Sequence, residues 1–226
     1  MASFDLSIDE LAKFFDHTNL HADAREDDII ELCNEAKKNN FHSVCVNPFY
    51  IPLATAQLNT SDVKVCTVIG FPLGATPSEV KAFETETAIK LGAEEIDMVL
   101  NVGAMKSRKY DVVEEDIKAV VTVADGTLVK VILETCYLND KEIQKACTLS
   151  ESVNADFIKT STGFGLEGAN IEHIRLIKET VGERMGIKAS GGISDYQTTL
   201  AMIEAGATRI GASKSVKIIN EYKKKF

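Results

Sequence analysis

Ala155-Asp156-Phe157-Ile158-Lys159-Thr160-Ser161-Thr162-Gly163 and, later in the chain, Gly186-Ile187-Lys188-Ala189-Ser190-Gly191-Gly192 share one pattern. In each, a short apolar run leads into a lysine, and small hydroxyl and glycine residues follow. Read as two buried parallel strands that each end in a loop, they place two amines where a chain normally refuses charge. Burial disfavours the ammonium form and two ammonium groups in one cavity repel, so the pKa of at least one should fall. A lysine that is neutral near pH 7 is a nucleophile toward carbonyl carbon. The alternative is that each lysine leads its alkyl stem out to solvent, the ordinary fate of a lone strand lysine. Two lysines in equivalent settings, each followed by glycine, favour the first reading.

The same grammar continues outward from these two stretches. Further apolar runs lie at Ser43 to Val46, Val63 to Ile69, Glu95 to Leu100, Leu128 to Leu133 and Thr208 to Gly211. They do not alternate apolar with polar as a half-exposed antiparallel sheet would, so strands covered on both faces fit better. Helical segments separate them. Thr76-Pro77-Ser78-Glu79 reads as an N-cap threonine, a proline at the first helical position and a capping-box glutamate, opening a helix that runs to Leu91 and stops at Gly92. Ser194 with Gln197 and Asn139 with Glu142 repeat the signal before helices ending near Gly206 and Ser150. Phe14-Phe15-Asp16-His17, ahead of a helical stretch from Glu26 to Asn39, supplies an eighth strand. Eight βα units predict a single-domain closed (β/α)8 TIM barrel over residues 1–226, with a short N-terminal helix at about 7–13 and a C-terminal helix at about 215–224. A doubly wound open sheet is the alternative; no G-x-G-x-x-G follows the first strand and no Walker sequence occurs.

Composition narrows the function classes. At 226 residues, 45% hydrophobic and 26% charged, the chain reads as an ordinary globular protein with one core. A net charge of -9 opposes a broad footprint for nucleic acid or an anionic membrane, and Lys223-Lys224-Lys225 reads as a solvated helix end. Cys33, Cys45, Cys66, Cys136 and Cys147 show no C-x-x-C spacing and read as free thiols, Cys45, Cys66 and Cys136 in strand-like stretches. The start, Met1 to Asp5, lacks a basic segment followed by an apolar one, and no apolar run is long enough to span a bilayer, so a cytoplasmic setting is expected.

In such a barrel, chemistry gathers at the C-terminal ends of the strands. Asp16, Asn47, Asp97, Glu134, Lys159, Thr162 and Lys188 all fall in or just after strands and could converge there. Asp97 is an acid within an apolar strand, which is costly unless a cation faces it, although a solvent-near position like that of Glu94 and Glu95 is the bland reading. Lys130 lies early in its strand and is expected to form a structural ion pair. Gly191 and Gly192, the Gly211-Ala212-Ser213-Lys214 segment opening a helix, and Gly163 are candidates for a phosphate cradle of backbone amides. His17 and His21 lack a third ligand, so no metal is expected, and His42 and His173 read as surface or capping residues.

Asp16-His17-Thr18, Val44-Cys45-Val46-Asn47-Pro48, Val65 to Gly74, Glu95 to Val99, Phe157 to Gly163, Ile187 to Gly192 and Arg209-Ile210-Gly211 together resemble the deoxyribose-phosphate aldolase family of class I aldolases. The resemblance implies reversible cleavage of 2-deoxy-D-ribose 5-phosphate to D-glyceraldehyde 3-phosphate and acetaldehyde, without metal or organic cofactor. It implies Lys159 as the Schiff-base lysine, Lys188 as the second lysine that lowers its pKa, and Asp97 as the proton mover. It further implies substrate contacts from Asp16, Thr18 and Thr162, Cys45 at the pocket wall, and phosphate contacts from Gly163, Gly191, Gly192, Gly211 and Ser213. A homodimer is expected from the resemblance alone. The chain departs from many relatives at Asn19, His21, Lys214 and the Phe164 to Gly168 loop, and Tyr222 is not assigned the proton-transfer role of a C-terminal tyrosine in longer relatives. Two other readings stay open: a phosphosugar isomerase or synthase working through Asp97 and Glu134, and a catalytically silent sugar-phosphate binder.

Overall fold

The computed structural model describes residues 6–225; Met1 to Asp5 and Phe226 lie outside the described residues, and with them the expectation about the chain's start. Eight parallel strands, β1 (Phe15–Asn19), β2 (Ser43–Val46), β3 (Lys64–Ile69), β4 (Glu95–Val99), β5 (Leu128–Ile132), β6 (Phe157–Lys159), β7 (Gly186–Ser190) and β8 (Arg209–Ala212), pair in chain order. β8 pairs back onto β1, with Asp16 beside Gly211, which closes the barrel and removes the open-sheet alternative. The surrounding helices are α1 (Ile8–Ala12), α2 (Glu26–Asn39), α3 (Ile51–Leu58), α4 (Ser78–Lys90), α5 (Val102–Lys106), α6 (Tyr110–Ala124), α7 (Asp140–Ser152), α8 (Ile171–Val181), α9 (Tyr196–Glu204) and α10 (Ser215–Lys223).

Local signals account for most of these boundaries. In α2 the buried residues Ile29, Leu32, Cys33 and Ala36 recur at helical spacing, and Asn40 ends the helix in the left-handed conformation at φ 53°. Asn139 and Glu142 form the expected capping box of α7. Two caps differ from expectation. Pro77 takes an extended ψ of 150° and stands outside α4, so Thr76 caps nothing; at α9 the carboxylate of Asp195, not Ser194, receives the Thr198 amide.

Because strand side chains alternate between faces, the barrel wall divides two unlike interiors. Val44, Val65, Ile96, Val131, Ile158 and Ile187 are buried in the apolar core that also holds Ile29 and Leu32 of α2 and Val113, Ile117 and Val120 of α6. Each such side chain contributes about 1.5–3 kcal/mol on burial. The inner face instead carries Asp16, Ser43, Glu95, Asp97, Lys130, Lys159, Lys188 and Arg209, all buried. Their contacts run between non-adjacent strands, as from Arg209 on β8 to Glu95 on β4 at 3.2 Å, which only a shared lumen permits. This explains strands that read as apolar runs interrupted by a charge. Among the described residues no helix is long and apolar enough to cross a membrane.

Candidate active site

Asp97, at the middle of β4 and fully buried, organises the lumen. Its Oδ2 accepts hydrogen bonds from Lys159 Nζ at 2.8 Å and Lys188 Nζ at 2.7 Å, and its Oδ1 from Lys130 Nζ at 2.9 Å and Cys66 Sγ at 3.2 Å. Burial alone would push its carboxyl up, but Lys130, Lys159 and Lys188 more than reverse this and hold it well below the usual carboxylate range. The solvent-near reading of Asp97 is therefore excluded. It fails for Glu95 as well: that side chain is buried, bonds Lys130 at 2.6 Å, and is brought down to about 2 by Lys130, the His42 ring and Arg209 against the opposing pull of burial.

Deeper in the lumen, Lys188 Nζ also lies 2.5 Å from Asp16 Oδ2, while Asp16 Oδ1 accepts from Arg209 Nη1 at 2.8 Å and Ser43 Oγ at 2.7 Å. Burial presses the Lys188 amine down, yet Asp16 and Asp97 outweigh it and keep it above the ordinary lysine range. Of the two lysines, Lys188 is therefore not the one whose pKa falls. Lys130 makes the expected structural pair with Glu95 but reaches Asp97 too, so it belongs to the same network. Among the described residues the network joins four cations (Lys130, Lys159, Lys188 and Arg209) to three carboxylates (Asp16, Glu95 and Asp97). Release of one amine proton balances it.

Lys159 is the amine that meets a cavity. It lines a space of about 380 Å³ at the C-terminal end of the barrel, together with Thr18, Thr162, Gly163, Gly191, Gly192 and Ser213. Gly163, Gly191 and Gly192 take left-handed φ values of 87°, 88° and 76°. Among the described residues their amides find no hydrogen-bond acceptor, which suits an anion. Gly211 also lines this space; it sits within β8, and a Cβ there would lie 3.0 Å from Lys188 Cε. Its missing side chain makes room for Lys188.

Two expected contacts are not at this cavity. Asp16 lies fully buried beneath it, engaged with Lys188 and Arg209. Cys45 is fully buried in a small apolar cluster with Leu20, Cys66 and Val68 rather than on the pocket wall. His42 is partly exposed and also bonds Glu95 at 2.9 Å, and Cys136 falls in a short turn, Thr135–Tyr137, rather than in a strand. A wider groove of about 850 Å³ runs alongside and shares Thr18, Ser213 and Lys214 with the first, but neither Lys159 nor Lys188 opens into it.

The thiols and carboxylates of Cys45, Cys66 and Asp97, and of Asp16, Cys66 and Glu95, lie close enough to hold a metal ion. The lysine and arginine groups already bonded to those carboxylates fill the cation's place. His17, whose Nε2 lies 2.8 Å from Glu35, and the exposed His21 take no part in either cluster.

Sequence reading missed Ser43 and Arg209 as members of the site. For Arg209 the signal was present, since it is a charge inside a strand just as Lys159 and Lys188 are. It also missed a second buried pair outside the lumen, Lys81 of α4 with Asp116 of α6, at 2.5 Å.

Comparison with known proteins agrees with this geometry. A family model described as DeoC/LacD family aldolase matches residues 11–218. The chain is 59% identical to the curated deoxyribose-phosphate aldolase of Clostridium tetani, over 95% of this chain and 100% of that protein. It is 55% identical to the deoxyribose-phosphate aldolase of Thermococcus gammatolerans, over 93% of this chain and 95% of that one. A tetrameric deoxyribose phosphate aldolase structure from Aeropyrum pernix, 34% identical, superposes with a TM-score of 0.91 over 97% of this chain and 94% of that one. Relatives that align nearly end to end, and a family match that spans the barrel from α1 to α10, place the chain within the DeoC/LacD family of aldolases.

Proposed function

We propose that this chain is a deoxyribose-phosphate aldolase, cleaving 2-deoxy-D-ribose 5-phosphate reversibly to D-glyceraldehyde 3-phosphate and acetaldehyde through a Schiff base on Lys159. One observation carries the reading: Lys159 and Lys188 share a single carboxylate oxygen of Asp97, and of the two only Lys159 reaches the cavity. The Lys159 amine adds to C1 of the open-chain sugar and water leaves, giving an iminium. The C3 hydroxyl gives up its proton, the C2–C3 bond breaks, and its electron pair passes to the iminium as an enamine. Glyceraldehyde 3-phosphate departs with a new carbonyl at C3. Protonation at C2 and hydrolysis then release acetaldehyde and the free amine. The iminium is the electron sink, so these steps need no further cofactor.

Lys188 is held charged beside Lys159 by Asp16 and Asp97. Asp97, ionised at rest, takes up and returns protons through water during carbinolamine and enamine formation. Thr18 and Thr162 read substrate hydroxyls, while Gly163, Gly191, Gly192, Gly211 and Ser213 hold the phosphate. Asp16 acts as a positioning residue for Lys188. Residues 1–226 are taken as one domain serving this one site. A homodimer fits a surface on which Phe49, Leu73 and Phe83 are large, apolar and exposed. A reducing, cytoplasmic setting fits five cysteines that are all free.

The test is turnover of deoxyribose 5-phosphate, followed by both aldehyde products, against unphosphorylated deoxyribose. The reading expects cleavage of the phosphorylated sugar with a much higher kcat/KM. Interconversion of sugar phosphates without free acetaldehyde would replace it with the isomerase, and binding without turnover with the silent binder.

A further inference from the structure

Beside the cavity, Glu134 sits in a conformation that its residue type resists. It follows β5, is 3% exposed, and takes left-handed angles of φ 54° and ψ 63°. Backbone strain of this kind persists only where the surroundings impose it. Here the surroundings are plain: Leu133 N donates to Lys159 O at 2.9 Å and Thr135 N to Thr160 O at 3.0 Å, fastening both flanks of Glu134 to the segment that carries the nucleophile. Gly165 adds to this, since a Cβ there would lie 3.0 Å from Glu134 Cδ.

The carboxylate so placed has no cation within ion-pair distance among the described residues. It is held by Thr162, which donates its amide to both oxygens at 3.2 and 3.3 Å and its hydroxyl to Oε2 in a short hydrogen bond. A threonine hydroxyl has one proton and two acceptor lone pairs. Its proton is committed to Glu134, and one lone pair accepts the Phe164 amide at 3.0 Å. What remains on this cavity-lining residue is a single acceptor.

We infer that Glu134 is a positioning residue that sets the polarity of Thr162, making it an acceptor that recognises a hydroxyl donor on the non-reacting part of the substrate. The inference rests on the aldolase reading above. In the synthetic direction the acceptor aldehyde carries one free hydroxyl, next to its carbonyl carbon, and that hydroxyl is the group recognised. An analogue with hydrogen in its place leaves the buried Thr162 lone pair unpaired, and an ether or keto oxygen meets it with like polarity. A site built around a hydroxyl discriminates strongly against a substrate that lacks it.

The experiment compares D-glyceraldehyde 3-phosphate with 3-oxopropyl phosphate, which lacks that hydroxyl, as acceptors for acetaldehyde in the unmodified protein and in Glu134→Gln, Thr162→Ser and Thr162→Val. The unmodified protein is expected to prefer the hydroxylated acceptor by about 10²-fold in kcat/KM. Thr162→Ser should keep that preference. Thr162→Val should abolish it. Glu134→Gln, which can turn an N–H donor toward Thr162 Oγ1, should raise KM for glyceraldehyde 3-phosphate about tenfold or more while leaving KM for 3-oxopropyl phosphate in place. A purely structural role would shift both acceptors alike, and that result, or an intact preference in Thr162→Val, overturns the inference. If Glu134→Gln does not fold, the serine and valine variants still decide whether the hydroxyl is read. Failure of the unmodified protein to cleave deoxyribose 5-phosphate would instead strike the aldolase reading, whereas cleavage with no preference between acceptors strikes this inference alone.

Discussion

Two buried lysine–aspartate clusters among the described residues use the same residue types and reach opposite ends. Between α4 and α6, Lys81 meets Asp116 at 2.5 Å and also donates to Val99 O at 2.9 Å. Burial there lowers the lysine pKa and raises that of the aspartate, so each partner is pulled toward its neutral form. In the lumen, one aspartate faces three lysines, burial is overruled, and Asp97 is driven down while Lys188 is driven up. The first is a closed staple whose two side chains are both buried. The second has a surplus of amines, and one of them, Lys159, opens onto a space lined by glycine loops. A buried lysine becomes chemical when its carboxylate is shared and its own nitrogen can be reached.

That contrast is sharpest in the variants that remove an amine. Lys159→Met is expected to lower kcat for deoxyribose 5-phosphate cleavage by at least about 10⁴-fold while the protein still folds, because Asp97 keeps Lys130 and Lys188 as partners. Steady-state kinetics together with a denaturant titration check both halves. Lys81→Met should do the reverse, costing about 3 kcal/mol of stability by leaving Asp116 buried without its cation, with kcat/KM changed only a few-fold. Adding Asp116→Leu should recover most of that loss. If Lys81→Met abolished turnover instead, the division between the two lysines would not hold.

Acid separates the regions as well. The folded Glu95 pKa is about 2 against an ordinary 4.5. Its contribution is therefore present above about pH 4.5 and is lost as pH falls from there toward 2, up to about 3 kcal/mol in total. Asp16 and Asp97 are shifted in the same direction, whereas Asp116 is shifted up and adds nothing to this loss. Denaturant midpoints measured between pH 6 and 3 should fall for the parent, less steeply for Glu95→Gln, and less steeply for Lys81→Met too, whose unpaired Asp116 regains stability as it takes up a proton.

The smallest expected effect tests how closely the lumen is fitted. In Gly211→Ala the new Cβ would meet Lys188 Cε and Ser190 Cβ at 3.0 Å, tight enough to displace the lysine by a few tenths of an ångström. A loss of about tenfold in kcat with little change in stability is expected, since small misplacements of catalytic groups are costly. An unchanged rate would show that Lys188 has slack.

The barrel was legible because its strands and helices announce themselves locally, and Lys159, Lys188 and Asp97 because each is a charge inside an apolar run. Their partners were not legible in the same way. Arg209 meets Asp16 across 193 positions of sequence, and only closure of β8 onto β1 brings them together. Glycine near a strand end has several uses, and that a Cβ at Gly211 would crowd Lys188 is visible only in the folded barrel. The caps at Thr76 and Ser194 were displaced by one residue because Pro77 and Asp195 stand next to them and take the position. Glu134 could be placed at a strand end from sequence, but its left-handed backbone and its grip on Thr162 belong to the tertiary structure.

The central claim is that Lys159, alone among the buried lysines, carries the covalent intermediate. Incubation with deoxyribose 5-phosphate and borohydride, followed by intact mass and peptide mapping, tests it directly. The account expects one reduced adduct, on the peptide bearing Lys159, and none in Lys159→Met. Adduct on Lys188, Lys130 or Lys81, or folded protein that takes up no label while turning over substrate, would contradict it.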